Sequence, residues 1–141
     1  RARSTMRIRS GEVPAHPGDA VEQEMVERYV EAFEAYDVDR LVRLLAEDAT
    51  FSMPPLPFWL RGRAGIEQFW RGPGTVCRDS RITTGRLNGR PAAACYHVAE
   101  PGRWEPFAVH VLEVSAEGIS DITHYLDASV FELLGLPSVI V

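Results

Sequence analysis

The feature of this sequence that most constrains its fold is a series of strand-like segments separated by short turns in the C-terminal half. The segments are rich in β-branched and aromatic residues and cover roughly residues 76–87, 92–98, 104–114 and 119–126. The turns between them are Asn88-Gly89, Glu100-Pro101-Gly102 and Ala116-Glu117-Gly118. Because such short connections reverse the chain direction, the spacing predicts an antiparallel meander of four strands.

Amphipathic helices are predicted ahead of these strands. Apolar side chains recur at helical spacing over residues 20–36, namely Val21, Met25, Tyr29, Phe33 and Tyr36. Asp19 and Glu22 have the spacing of a capping box at the start of this helix. A second, shorter helix that carries Leu41, Leu44 and Leu45 should follow, with Asp37 or Asp39 as its cap.

Between the second helix and a third, the chain is expected to form a strand and a rigid loop. Residues 49–53 carry the strand, and residues 54–57 end it because their prolines lack the N–H donor that a ladder requires. A loop over residues 58–60 then leads into a third helix over residues 65–70. The order predicts an α+β fold in which a curved antiparallel sheet wraps on two to three helices and forms a cone with a pocket.

Composition argues against several classes of function. With 141 residues the chain is long enough for one domain, and its apolar runs are too short to span a membrane. The net charge of −5 argues against a broad nucleic-acid surface on the globular part. No segment directs export, so we expect a cytoplasmic protein without a membrane partner.

The first eighteen residues differ from the rest. Four arginines occur within residues 1–9, which resemble the tail of a basic helix, and residues 10–18 contain two prolines and two glycines and predict a linker. We therefore expect a piece of a longer protein, in which residues 19–141 form the independent domain.

The two cysteines are predicted to be reduced. Pairing across the Asn88-Gly89 turn places Cys95 opposite Ile82, which leaves Cys77 about 17 Å away along the sheet at about 3.4 Å per residue. A disulfide requires Cα atoms within roughly 7 Å of each other.

The last hairpin is predicted to bring two histidines together. A three-residue loop that pairs Ser115 with Ile119 also places His110 opposite His124, on a face that differs from that of Phe107, Val109 and Val111. Our hypothesis is that both histidines point into the cone, in a ligand pocket bounded by Met53, Trp59, Trp70 and Tyr96. The alternative is a pair of core histidines whose polar atoms are hydrogen bonded.

Metal and cofactor sites find little support in the sequence. The histidines have no paired zinc spacing, and there is neither a phosphate-binding glycine loop nor a nucleophile elbow. We therefore expect no metal and no cofactor.

Several short strings together resemble the SnoaL-like branch of the nuclear transport factor 2-like superfamily. These are Tyr36-Asp37-Val38-Asp39, Leu44-Leu45-Ala46-Glu47-Asp48-Ala49, Leu60-Arg61-Gly62-Arg63 and Ile122-Thr123-His124-Tyr125-Leu126-Asp127. The resemblance covers about residues 19–135 and implies the cone-shaped fold.

A narrower resemblance is to the SnoaL-like domain behind certain extracytoplasmic-function sigma factors. Its residues are Arg1-Ala2-Arg3, Ser52-Met53-Pro54-Pro55, and Phe131 with Leu134-Gly135-Leu136-Pro137. It implies that residues 1–9 end a DNA-binding helix, with Arg1 and Arg3 as candidate DNA contacts. It also implies a non-catalytic domain that modulates promoter recognition or polymerase engagement, with the preceding sigma regions, core RNA polymerase and promoter DNA as partners and a small hydrophobic ligand as a further candidate.

Two alternatives to this regulatory role stay open. One is a free-standing SnoaL-like isomerase, cyclase or hydrolase acting on a small hydrophobic carbonyl compound. Related epoxide hydrolases carry a catalytic aspartate where this chain has His124, and Asp127 is expected to cap a helix over residues 128–134. The other is a homodimerisation module that buries Phe107, Val109 and Val111 in a symmetric interface.

Overall fold

The computed structural model describes residues 19–141, so the basic segment, the linker and the candidate DNA contacts Arg1 and Arg3 lie outside the described residues. The helices are α1 (Asp19–Glu34), α2 (Val38–Leu44), α3 (Arg63–Arg71), a 3-10 helix (Pro73–Cys77) and α4 (Ser129–Leu133). The strands are β1 (Leu45–Ser52), β2 (Trp59–Arg61), β3 (Arg81–Leu87), β4 (Arg90–Glu100), β5 (Arg103–Ser115) and β6 (Gly118–Tyr125). Four α-helices therefore accompany a six-stranded sheet in the described part of the chain.

The helices begin close to where the sequence pattern places them. Asp37 caps α2, and its carboxylate accepts a hydrogen bond from the backbone N–H of Arg40 at 3.2 Å. Asp39, the other candidate cap, lies in the first turn of α2, where its negative charge is favourable. Leu45, which we assigned to this helix, instead starts β1 in an extended conformation.

The sheet contains the predicted meander and two strands beyond it. Its order is β2-β1-β6-β5-β4-β3, and β3 to β6 pair antiparallel as expected. β1 pairs in parallel with β6, and the loop predicted at residues 58–60 contains β2, which pairs antiparallel with β1. The strand predicted to begin at residue 76 begins at Arg81, because the chain first forms the 3-10 helix after Pro73.

The predicted register of the last hairpin is confirmed, although its turn is shorter than expected. Ser115 pairs with Gly118, where a partner at Ile119 was predicted. The register then shifts by one residue between Val114 and Glu113. The extra residue, Ser120, forms a β-bulge, and beyond it His110 lies opposite His124 as predicted.

A second bulge corrects the predicted position of Phe107. Cys95 pairs with Ala108 and Tyr96 pairs with Pro106, so Phe107 is the extra residue on β5. It packs on the helix-covered face of the sheet together with the histidine pair, whereas strict alternation had assigned it to the opposite face.

Each face of the sheet carries its own hydrophobic core. The larger core lies beneath α1, α2 and α3 and includes Tyr29, Phe33, Phe51, Ile66 and Trp70. On the opposite face, Val109 and Val111 are buried beside Phe131 of α4. The second core thus covers Val109 and Val111, two of the three residues that we considered for a symmetric dimer interface.

Among the described residues, no helix is long and apolar enough to cross a membrane.

Candidate functional site

An apolar cavity of about 220 Å³ lies between the sheet and α3. Its lining comes from α1, α3, β5, β6, the loop before β2 and the 3-10 helix, and consists of Phe33, Met53, Leu56, Phe69, Trp70, Pro73, Gly74, Val76, Cys77, Phe107 and His124. None of these lining residues carries a full charge at neutral pH, provided that His124 is neutral. The cavity therefore suits an apolar occupant.

Two exposed residues mark the position at which this cavity opens to solvent. Leu56 in the proline-rich loop is 52% exposed, and Val76 in the 3-10 helix is 66% exposed, yet both also line the cavity. The cavity consequently reaches solvent between these two segments. Large apolar side chains at the rim of a concave site favour the capture of apolar ligands.

The inner end of the cavity is formed by His124, which stacks on His110. The ring centroids of the two imidazoles are 3.5 Å apart and the ring planes differ by 8°. Both side chains are fully buried, and Phe33 and Phe51 pack against them with ring centroids at 4.9 Å from His110 and 4.7 Å from His124. The opposed register of β5 and β6 produces this stack, because directly opposite side chains on one sheet face lie in contact.

His110 has a hydrogen-bond partner on α1. Its Nδ1 lies 2.8 Å from the hydroxyl oxygen of Tyr29. If Nε2 carries the imidazole proton, the phenol O–H donates to Nδ1; in the other tautomer, Nδ1–H donates to the phenol oxygen. In either tautomer the pair has two donors, one N–H and one O–H, and only one of them donates within the pair. The other donor has no protein acceptor in the described structure.

His124 has no hydrogen-bond partner on either ring nitrogen among the described residues. His110 cannot serve as one, since the N–H bonds of an imidazole lie in the ring plane and the two rings are stacked nearly parallel. The buried Nε1 of Trp70, which lines the same cavity, also has no protein acceptor. The cavity wall thus contains two side chains whose N–H donors are buried and unpaired.

Burial keeps both histidines neutral. It lowers the pKa of His124 to about 3, and the nearby His97 adds to the shift. Burial also lowers the pKa of His110 well below its ordinary value. The positive charges that protonated His124 and His97 would carry lower this pKa further. Tyr29 stays protonated as well, because burial raises the pKa of its phenol well above the ordinary value.

The structure brings together some of the sequence-predicted pocket residues and separates others. Met53, Trp70 and His124 line the cavity, and His110 lies directly behind His124. Trp59 does not line it: β2 is an edge strand, and Trp59 is 58% exposed with the guanidinium of Arg61 5.4 Å from its ring centroid.

Tyr96 lies in the core on the other side of the sheet. Its ring packs against Phe131 at 5.1 Å between centroids, and its hydroxyl donates to the carbonyl oxygen of Pro137 at 2.9 Å. The alternation of β4 explains this position, because Cys95 faces the larger core and its neighbour must therefore face away.

Sequence reasoning missed several parts of the cavity wall. Phe33 was recognised as an apolar residue of the first helix, but nothing in its spacing indicated a cavity. Val76 and Cys77 were assigned to a strand, whereas the 3-10 helix turns them towards the cavity. The available signal was the Pro73-Gly74 pair just before the predicted strand, because a proline–glycine pair is typical of turns.

The surroundings of the two cysteines and of Asp127 indicate that these residues serve the fold. Cys77 and Cys95 are both buried free thiols, as predicted, and burial raises their pKa values to about 11 and about 12. The carboxylate of Asp127 accepts a hydrogen bond from the backbone N–H of Ser129 at 2.9 Å, which lowers the pKa of Asp127. In the described part of the chain, no group of three or more potential ligands could hold a metal ion.

Comparison with known sequences gives a family and two relatives. Residues 26–122 match the SnoaL-like domain family. Two relatives, each named ECF RNA polymerase sigma factor SigG and found in two strains of Mycobacterium tuberculosis, are 37% identical to this chain over 142 residues. The match covers 97% of this chain and 38% of each relative, so the chain spans less than half of their length.

Solved structures show the same fold at low sequence identity. An NTF-2 like protein of unknown function from Burkholderia xenovorans has a TM-score of 0.62 and 16% identity over 77% of this chain and 84% of that protein. An LEH-like epoxide hydrolase from M. tuberculosis has a TM-score of 0.60 and 17% identity over 84% of this chain and 90% of that chain. These likenesses confirm the predicted α+β fold class and concern the fold alone.

Proposed function

This chain belongs to the SnoaL-like domain family, and from that premise we propose that it is the C-terminal regulatory domain of an extracytoplasmic-function sigma factor. In this proposal the domain modulates promoter recognition or polymerase engagement through the preceding sigma regions and core RNA polymerase, in the cytoplasm. The observation that carries it is the 37% identity to the two sigma-factor relatives across 97% of this chain. In this proposal, promoter DNA is contacted by the N-terminal part of the longer parent protein, and Arg1 and Arg3 are candidate contacts.

The chemistry of the cavity supports binding in preference to catalysis. General acid–base catalysis is most effective when the pKa of the group lies near the working pH. His124, the titratable imidazole in the cavity wall, has a pKa of about 3 and is therefore a weak base. Asp127, the carboxylate that the sequence left as a candidate, binds the N-terminus of α4. A neutral, apolar wall of this kind can bind a ligand without transforming it.

The alternative function is that of a small enzyme acting on a hydrophobic carbonyl compound. The observation that favours it is the apolar cavity with a buried imidazole, on a fold shared with an epoxide hydrolase. Turnover would require a base or acid that titrates near neutral pH. Conversion of an uncharged carbonyl compound or epoxide that disappears in a His124→Phe variant would establish this alternative in place of the regulatory role.

Run-off transcription by the full-length parent protein tests the regulatory proposal. We expect removal of residues 19–141 to change the yield or promoter preference of transcription reconstituted with core polymerase. The same transcription assay on the intact parent compares Trp70→Phe in the cavity wall with Trp59→Phe on the exposed edge strand, which is its matched control. An unchanged transcript pattern after removal of the domain would refute the proposal.

A further inference from the structure

The edge strand β3 has an unpaired side that lies next to the start of α1. We propose that this side binds the segment of the chain directly before α1, residues 11–16, as an additional short strand. The segment lies outside the described residues, and the surface that it reaches is formed by α1 and β3. The contact specifies how the regulatory domain is joined to the preceding sigma regions, and in that respect it rests on the proposed function.

The unpaired side of β3 follows from its hydrogen bonds. In the described structure β3 pairs with β4 alone, and it is seven residues long, whereas the opposite edge strand, β2, has three. The backbone N–H of Ile82 points away from β4, because it donates to a carboxylate oxygen of Glu34 at 2.8 Å. Hydrogen-bonding direction alternates along an antiparallel strand, so the N–H and C=O groups of Thr84 and Arg86 also point away from β4. An extended segment can add to such an edge as a further strand.

A groove of about 210 Å³ lies between this edge and the first two turns of α1. Buried Val26 and Pro91 give it an apolar floor, and exposed Thr84 and Gly85 lie along its β3 side. The complete lining consists of Glu22, Gln23, Val26, Thr84, Gly85, Arg86 and Pro91. A Cβ at Gly85 would meet no atom within 4 Å, so there is open space beside the strand. The groove therefore has room for a short extended segment.

The direction of α1 brings the preceding segment to this groove. Near the start of α1, a carboxylate oxygen of Glu22 lies 3.2 Å from the guanidinium of Arg86. At the other end of the helix, Glu34 binds Ile82. The helix thus begins beside the end of β3 and runs in the opposite direction.

A turn signal stands directly before α1. Proline and glycine are preferred at the two central positions of a type II turn, and Pro17-Gly18 has this order. A turn there reverses the chain, so residues 11–16 would run beside the first turns of α1 in the direction opposite to the helix. They would therefore lie parallel to β3.

The position of Pro14 decides which residues of the segment face β3. Proline has no N–H, and within a sheet it is found on edge strands where its nitrogen faces solvent. If Pro14 faces solvent, alternation turns the backbone groups of Val13 and Ala15 towards β3. The segment thus offers donors and acceptors at the positions where the edge needs them.

Docking would shorten the connection between the domain and the part of the chain before it. When fully extended, residues 10–18 span at most about 30 Å. With residues 11–16 held on β3, the arginine-rich residues 1–9 would instead start at the surface of the domain. Within the proposed function, this contact would hold the preceding sigma regions close to the domain.

Amide hydrogen exchange of the 141-residue chain, followed by NMR, tests the contact. Ala15→Pro removes an N–H that faces β3, and His16→Pro makes the same change one residue later, where the backbone faces solvent. We expect the amides of Thr84 and Arg86 to exchange about 5- to 10-fold faster in Ala15→Pro than in the wild type, which corresponds to about one hydrogen bond. His16→Pro should exchange like the wild type, and the amides of β2 should be unaffected in both variants.

A reciprocal variant tests the contact from the other strand. Thr84→Pro removes an outward N–H from the exposed edge, where proline is tolerated. It should accelerate exchange at the amide of Ala15 by a similar factor. The amide chemical shifts of β4, β5 and β6 show whether each variant keeps its fold.

Each outcome decides for or against docking. Rapid exchange at Thr84 and Arg86 in the wild type, or equal rates in Ala15→Pro and His16→Pro, would overturn it. Slow exchange that depends on protein concentration and persists in Ala15→Pro would assign the edge to a second copy of the chain, and would overturn it too. Docking with unchanged transcription after removal of residues 19–141 would retain the contact and refute the regulatory proposal. Altered transcription without docking would do the reverse.

Discussion

The neutral histidine pair predicts that the domain loses stability as the pH falls below neutrality. The relevant variant is His124→Phe, which removes one titratable group from the core and keeps an aromatic ring in the stack. An unfolded histidine has a pKa of about 6.5, whereas burial lowers the folded-state pKa of His124 to about 3. Between these two values the unfolded chain binds a proton that the folded chain does not, so acid favours unfolding.

The sign and size of the effect follow from this difference. The contribution of a neutral His124 is fully present above about pH 6.5 and decreases by about 1.4 kcal/mol per pH unit below it, until the folded-state pKa is reached. At about pH 5 the loss from His124 alone is therefore about 2 kcal/mol. His110 adds to the loss in the same direction, because burial and the proximity of His124 and His97 lower its pKa too. A loss of this size is a large fraction of the stability of a small domain.

Urea denaturation followed by circular dichroism, at about pH 7.5 and about pH 5, measures the effect in the wild-type chain and in the variant. The free energy of unfolding should fall by at least about 2 kcal/mol more in the wild type than in His124→Phe. Carboxylates and His97 are common to both proteins, so their contributions cancel in the comparison. Equal losses in the two proteins, or a wild type that is more stable at the lower pH, would show that the buried histidines are not kept neutral by the fold.

Three further substitutions, and Gly102→Ala as a control for one of them, probe the contacts that form the site and its support. Gly118→Ala should cost on the order of 2 kcal/mol or more, because an added Cβ would lie 2.6 Å from the carbonyl oxygen at the end of α2 and φ is +124°. Gly102→Ala, at φ +82° with open space around it, should cost less. Tyr29→Phe should cost about 1–3 kcal/mol, because it leaves Nδ1 of His110 unpaired in the core. Phe131→Ala should cost about 3–5 kcal/mol if α4 forms the second core as described. Urea denaturation at neutral pH measures all four.

Two exposed positions provide controls for the last pair of variants. Tyr125→Phe and Leu133→Ala make comparable changes at side chains that are 36% and 78% exposed, and each should alter stability by less than about 0.5 kcal/mol. A Tyr29→Phe variant as stable as Tyr125→Phe would mean that the hydroxyl contributes nothing to the histidine pair. A Phe131→Ala variant as stable as Leu133→Ala would mean that α4 is not packed on the sheet.

Local sequence patterns were sufficient for most of the helices and for the pairing of the meander. Alternation and short turns determine which residues of β5 and β6 face each other, since each turn joins strands that are adjacent in the chain. The predicted pair of His110 and His124 is confirmed for this reason. The turn itself was counted one residue too long, and the bulge at Ser120 restored the register beyond it. Bulges of this kind leave little trace in sequence, which is also why Phe107 was assigned to the wrong face.

The cavity could be predicted only in part, because its walls come from segments far apart in the chain. Met53, Trp70 and His124 were recognised as candidates, but the spacing of Trp59 and Tyr96 could not show that one lies on an exposed edge strand and the other in the opposite core. Those positions depend on the order of strands in the sheet and on which helix covers which face.

By itself, the sequence determined the fold class, the order of the main helices and of the four meander strands, and the opposition of the two histidines. These follow from the periodicity of apolar residues, from capping side chains and from turns, all of which act over a few residues. Only the tertiary structure decided the parallel pairing of β1 with β6, the burial of the second sheet face under α4, and the apolar cavity with its unpaired N–H donors. The physical reason is that burial, which leaves donors unpaired and keeps an imidazole neutral, is a property of the assembled chain and of no single segment.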